Sequence, residues 1–309
     1  MLTFVGIFRD VCLPIILLVA VGWGMDRKFD LKLDTLVKLN IYLFVPAFIF
    51  VRVSSSELPQ GIGGKVVVFT LCVLAVMYLT SSLVSMLRRE TAQQRMGLQL
   101  STMFYNSGNW GIPLMALAFP EVGPVIQVFV LMTMNISTFS IGILLASAQG
   151  GQADHGKRWK RFLPMLRQPS IYAILTALMM RSMENPLAEV TFLWKPLEYL
   201  ASSLVAFALI TLGVQLSKTR PPRIEGRLAW ALGIRLIGGP LAAFFLVRLF
   251  AFDAATSAVL IVGAASPAAV NTALLAHEFK ADSRFAAAVV FYSTLLAGIV
   301  VTALIFLLR

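Results

Sequence analysis

Charge is scarce in this sequence. Asp, Glu, Lys and Arg make up 13% of its 309 residues, while 58% are hydrophobic and the mean hydropathy is +0.83. A soluble domain carries about 25% charged residues, so the apolar surplus needs lipid as its solvent. Histidine and cysteine are scarcer still, with two of each. Cys12 and Cys72 sit inside apolar runs, where a thiol behaves as a small hydrophobe and no disulfide is expected. His155 and His277 have no second His, Cys or acid nearby at metal-ligand spacing. No glycine-rich phosphate loop follows a strand. The sequence therefore gives no footing for an enzyme, a metal centre or a cofactor. The acidic residues number 15 against 26 basic ones, a net charge of +11. Nucleic-acid binding would need that excess on one folded face, and it falls instead in short segments between apolar runs.

Apolar runs of about 18 residues or more are long enough to cross a hydrocarbon core of about 30 Å as helices, and they recur along the whole chain. The expected spans are ten, at 7–25, 35–53, 65–87, 96–119, 123–147, 169–183, 193–217, 227–251, 254–278 and 284–308. The first has Arg9 and Asp10 in its first turn, Asp26-Arg27-Lys28 after it and no small-residue cleavage site, and reads as a retained span rather than a signal peptide. Alternate loops hold most of the basic residues, among them Arg27 and Lys28, Arg88 and Arg89, Lys157 to Arg167, Lys218 to Arg227, and Lys280 with Arg284. The intervening loops carry Lys65, Arg181 and Lys195. Basic residues near span ends stay cytoplasmic, which predicts both termini outside. The Gly-rich and then basic stretch 149–168 reads as a cytoplasmic linker between a first unit, 1–148, and a second, 169–309. Five spans in each unit force the two into opposite orientations, an inverted repeat.

Two of the spans carry helix-breaking polar strings. The fourth contains Tyr105-Asn106-Ser107-Gly108-Asn109-Trp110-Gly111-Ile112-Pro113, and the ninth contains Ser266-Pro267-Ala268-Ala269-Val270-Asn271. Proline removes an amide donor and glycine lowers the cost of non-helical backbone. Backbone freed at membrane depth is tolerated only where it is buried in protein or lines a polar cavity. The predicted helix-breaking residues are Gly108, Gly111, Pro113 and Pro267, and the fourth span is expected to open between Asn106 and Gly111. Each break exposes amides that start one half-helix and carbonyls that finish another, so a small ion can be held without burying a formal charge.

These strings resemble the auxin efflux carrier family, which includes the plant PIN proteins and bacterial malonate or organic-acid permeases. The pattern Asn-x-x-x-x-Gly-Ile-Pro-Leu at 106–114 carries the likeness. So do Ser-Pro-Ala-Ala-Val-Asn at 266–271 running into Ala276-His277-Glu278-Phe279, Leu43-Phe44-Val45-Pro46-Ala47 and Leu212-Gly213-Val214-Gln215-Leu216. The resemblance implies an all-α transmembrane fold akin to bile-acid symporters. Spans one, two, six and seven would be a scaffold, and spans three to five and eight to ten a mobile crossover bundle. It also implies an elevator-type carrier of small organic anions, a homodimer and, for a bacterial relative, the inner membrane. The substrate set it points to is Asn106, Ser107, Asn109, Ser266, Pro267, Ala268 and Asn271. Tyr105 stands where the plant pattern has its first crossover proline, and the long hydrophilic loop of the plant carriers is missing.

Other candidates are accessory. Arg235 lies inside the eighth span, where it could attract an anionic substrate or snorkel to the headgroups. Ser137, Thr138, Ser293, Thr294 and Gln215 could supply oxygens to a coupling ion, or bond within their own helices. No acid lies centrally as a proton relay, which argues for a uniporter or for an ion held by carbonyls and hydroxyls, and leaves Na⁺ or H⁺ coupling open. The alternatives are a ligand-binding membrane sensor or channel, and a Na⁺-coupled carrier like the bile-acid and organic-anion symporters.

Overall fold

The computed structural model describes residues 3–57, 59, 61–145, 168–219 and 226–308. The linker expected at 149–168 lies outside them except for Gln168. Among the described residues the fold is entirely helical, with twelve helices. These are α1 (Phe4–Phe29), α2 (Leu33–Ser54), α3 (Ile62–Leu87), α4 (Ala92–Met103), α5 (107–118), α6 (Gly123–Leu145), α7 (Pro169–Ser182), α8 (Thr191–Lys218), α9 (Gly226–Leu249), α10 (Ala254–Ala264), α11 (Val270–Glu278) and α12 (Ser283–Leu308). One short 3₁₀ turn, Pro186–Glu189, precedes α8.

Seven of these helices, α1, α2, α3, α6, α8, α9 and α12, are long and apolar enough to cross a membrane. They coincide with seven expected spans. The sixth expected span is the 14-residue α7, about 21 Å at helical rise. The fourth and ninth are each divided into two helices, α4 with α5 and α10 with α11. Large apolar side chains stay exposed along α1 (Leu17, Val21), α3 (Leu79, Leu83), α9 (Phe245, Leu249) and α12 (Ile299, Leu307). Such an outer surface suits hydrocarbon and not water.

The helices pack in two groups. In one, α8 runs along α1 and α2, and α7 lies against α2; in the other, α3 to α6 and α9 to α12 pack on one another. The seam between α1 and α8 is made by glycine. A Cβ on Gly22 would run into the Ile210 carbonyl, and one on Gly213 into that of Val19. Small residues let membrane helices approach this closely.

Among the described residues five helices contain a wide π turn, at Phe8–Cys12, Asn40–Phe44, Ser107–Gly111, Thr138–Gly142 and Ile234–Gly238. Four of the five are followed two residues later by proline: Pro14, Pro46, Pro113 and Pro240. A proline within a helix cannot donate to the carbonyl four residues back and its ring presses on that carbonyl. The helix yields by widening, so that Leu13, Val45 and Gly239 donate to Phe8, Asn40 and Ile234, five residues back. The wider turn also re-aims the polar side chains it contains. Asn40, Asn109, Thr138 and Arg235 all lie in such turns, and π turns gather at functional sites.

Candidate functional site

The two divided helices meet at their interruptions. Phe104 is extended (φ −96°, ψ 124°) where α4 ends, and Ala269 is extended (φ −71°, ψ 136°) where α11 begins. Tyr105 and Ala268 face each other as an isolated antiparallel pair. Asn106 N–H donates to the Pro267 carbonyl at 2.8 Å and Ala269 N–H donates to the Phe104 carbonyl at 2.9 Å. Pro267 has no amide to leave unsatisfied, and its carbonyl is used. The Ala268 amide is taken by the Ser293 hydroxyl at 3.0 Å. Buried backbone that leaves a helix must find partners, and each interruption supplies them to the other.

The position of the first interruption differs from the sequence expectation. Non-helical backbone covers Phe104 to Asn106, whereas Gly108 and Gly111 are inside the π turn and Pro113 is in the first turn of regular α-helix. The extended pairing at Tyr105 breaks the helix, and the glycines serve close packing. A Cβ on Gly111 would meet the Gln127 amide, which donates to the Ser107 carbonyl at 2.8 Å.

A cavity of about 200 Å³ lies between the two helix groups beside this crossing. Asn106, Ser107, Gly108 and Asn109 line it from the start of α5, and Ala269, Val270 and Asn271 from the start of α11. Asn40 comes from α2, Asn135 and Thr138 from α6, Gln215 from α8, and Gln168 and Ser170 from the beginning of α7. Among the described residues that line it, none is Asp, Glu, His, Lys or Arg. Both half-helix N-termini thus border one cavity, where the aligned peptide dipoles place partial positive charge. Asn106 Oδ1 accepts from the Asn109 amide at 3.1 Å, and Asn40 Nδ2 donates to Asn109 Oδ1 at 2.7 Å. The buried Nδ2 of Asn106, Oδ1 of Asn40 and Oε1 of Gln215 have no hydrogen-bond partner among the described residues. Unsatisfied buried amides are costly, and a ligand in the cavity is positioned to pair with them.

Of the predicted substrate set, Asn106, Ser107, Asn109 and Asn271 reach this cavity. Ser266, Pro267 and Ala268 are buried in the crossing and do not line it. Thr138 lines the cavity but its hydroxyl donates to Met134 at 2.7 Å, and Thr294 donates likewise to Val290 at 2.7 Å. Ser293 holds the Ala268 amide, and Ser137 is buried. Arg235 neither lines the cavity nor reaches a headgroup layer: it is fully buried, and Nη1 donates to the Thr102 carbonyl at 2.7 Å. Sequence reasoning missed Asn40, Asn135 and Gln127. Each is a lone amide in an apolar run, and the intramembrane polar residue was the available signal.

A helical bundle with an apolar outer face, two interrupted helices and a polar cavity at their crossing is the architecture expected of a membrane transport protein. The chain belongs to the family described as membrane transport protein, whose model matches residues 8–306, and with that the auxin efflux carrier resemblance stands. It is 27% identical to an uncharacterized transporter of Methanocaldococcus jannaschii, over 94% of this chain and 96% of the relative. A second uncharacterized transporter, of Methanothermobacter thermautotrophicus, is 25% identical over 93% and 94% of the two chains. A protein of Rhizobium meliloti named "Putative malonate transporter" is 24% identical over 96% and 94%. The protein is an integral membrane protein of a transporter family.

Proposed function

We propose that this protein is a secondary carrier of small organic anions, with a carboxylate held in the cavity at the helix crossing. One observation carries the reading. Two half-helix N-termini and the unpaired amide of Asn106 converge on a cavity whose described lining has no charged side chain. Oriented amides favour an anion without a fixed cationic partner that would hold it too tightly to release. The relative named for malonate makes short dicarboxylates the first class to examine. Asn106 and Asn271 meet the substrate directly, with Ser107 and Asn109 beside them.

In this reading the chain crosses the membrane ten times as two inverted units of five, with α4–α5 and α10–α11 as single divided spans and both termini outside. The group α1, α2, α7 and α8 is the scaffold. The remaining helices move past it as one body, and because the cavity lies on the seam between the groups, that movement alternates its access. Residues toward the cytoplasmic ends of their spans, Gln168, Val37 and Gln215, line the cavity, which supports an orientation open to the cytoplasm.

Counterflow in proteoliposomes tests this. Labelled malonate or another short carboxylate should enter faster against unlabelled substrate inside, and Asn106→Ala with Asn271→Ala in folded protein should abolish that uptake. Flux without counterflow for every carboxylate would instead identify a channel.

A further inference from the structure

Interrupting two helices leaves two sets of ends. The N-terminal ends border the cavity, and the C-terminal ends, where carbonyls lack amide partners and carry partial negative charge, are elsewhere. At those C-termini lie the carbonyls of Thr102, in the last turn of α4, and Ala264, the last residue of α10. Arg235 binds both. Nη1 donates to Thr102 at 2.7 Å and Nη2 donates to Ala264, while the guanidinium carbon lies 4.9 Å from the centre of the Tyr105 ring. The side chain is fully buried, and among the described residues no carboxylate forms an ion pair with it. Space for it is kept by Gly239, where a Cβ would strike both Nη2 and the Ala264 carbonyl.

A buried cation without a carboxylate is expensive unless something else of negative polarity faces it. Here that something is the pair of helix C-termini. In discontinuous membrane helices the same kind of carbonyl end is what coordinates a coupling cation. Tyr105 lines the cavity on one side and covers the guanidinium on the other, so Arg235 is a positioning residue and not a substrate contact.

We propose that Arg235 is the resident cation of the crossing. It occupies the carbonyl-lined place that a coupling Na⁺ would need, locks the two half-helices in register, and makes substrate binding independent of Na⁺ at this place. This rests on the carrier reading only for its consequence in transport, because occupancy of the carbonyl ends can be measured without substrate.

The test uses the purified full chain and its thermal stability in matched sodium, choline and low-millimolar guanidinium chlorides. Wild-type protein should melt at the same temperature in sodium and choline. Arg235→Ala should melt lower and recover a few degrees, saturably, with guanidinium, because a cation that binds the folded state stabilises it. Gly239→Ala, which keeps the charge but pushes the guanidinium off Ala264, should also melt lower, and Arg235→Lys should lie between Arg235→Ala and wild type. A purely packing role would leave Arg235→Ala indifferent to guanidinium, and that result overturns the proposal. A saturable stabilisation of wild type by sodium over choline overturns it as well, even where Arg235→Ala fails to fold.

Discussion

Asn40 of α2 donates its side-chain amide to Asn109 of α5 at 2.7 Å, among the described residues the one side-chain hydrogen bond that joins the two helix groups at the cavity. It ties the first helix group to the interruption in the second. Any movement of one group past the other must break it. Replacing Asn40 by Ala should weaken carboxylate binding about five- to tenfold, the equivalent of about 1–1.4 kcal/mol for one hydrogen bond, because Asn109 loses the partner that aims it. Asn40→Asp keeps the shape but sets a negative charge in the proposed anion site, and should abolish binding. Isothermal titration of both variants checks this.

The α1–α8 seam predicts an unusual response to alanine. In an exposed helix interior, Gly→Ala stabilises by about 1 kcal/mol. At Gly22 and Gly213 the added methyl meets a backbone carbonyl of the facing helix, so overpacking should reverse the sign and cost about 1–3 kcal/mol. Gly64, with open space around its Cβ position, is the control. Melting temperatures of the three single variants compare them.

At the ends of α9 and α12, Arg227 bridges Glu90 at 2.9 Å and Asp282 at 2.8 Å, and also reaches the Gln94 carbonyl at 3.1 Å. The Glu90 side chain is only 4% exposed. Arg227→Ala leaves that carboxylate with the Ser85 hydroxyl at 2.9 Å and Arg88 at 3.6 Å, and should cost about 1–3 kcal/mol. Adding Glu90→Gln should recover part of the loss, which a double-mutant cycle of unfolding measures.

Because the described lining of the cavity has no Asp, Glu, His, Lys or Arg, binding should follow the ionisation of the ligand. Affinity for a monocarboxylate should hold constant from neutral pH down to about pH 5 and fall as the ligand protonates near about pH 4. A drop in affinity between pH 6 and 8 would point to a protein group instead.

Much of this was legible in the sequence, and the rest fails for definable reasons. Hydropathy located the seven helices long enough to cross a membrane, because lipid demands long apolar helices. Asn106, Asn109 and Asn271 could be nominated because uncompensated amides are rare at that depth. The opening of the fourth expected span was not legible, since the chain leaves the helix there through bonds of Phe104 to Ala269 and of Asn106 to Pro267, more than 160 residues away. Glycines drew attention to Gly108 and Gly111, which proved helical. Arg235 illustrates the same limit: an intramembrane arginine is visible as a letter, but its partners are two carbonyls that no side-chain pattern encodes. The prolines at 14, 46, 113 and 240 each follow a π turn by two residues, a local signal that could have pointed to Asn40 and Arg235.

The most direct measurement is a thermal-shift comparison of malonate and related short carboxylates with a neutral isostere such as malonamide, in wild type and in the Asn106→Ala, Asn271→Ala double variant. A ligand of the native state raises its melting temperature in proportion to occupancy. The account predicts a saturable rise with at least one carboxylate in wild type, none with the diamide, and none in the double variant. Equal stabilisation by the neutral diamide, or a carboxylate shift that survives loss of both asparagines, would contradict an anion site at the helix crossing.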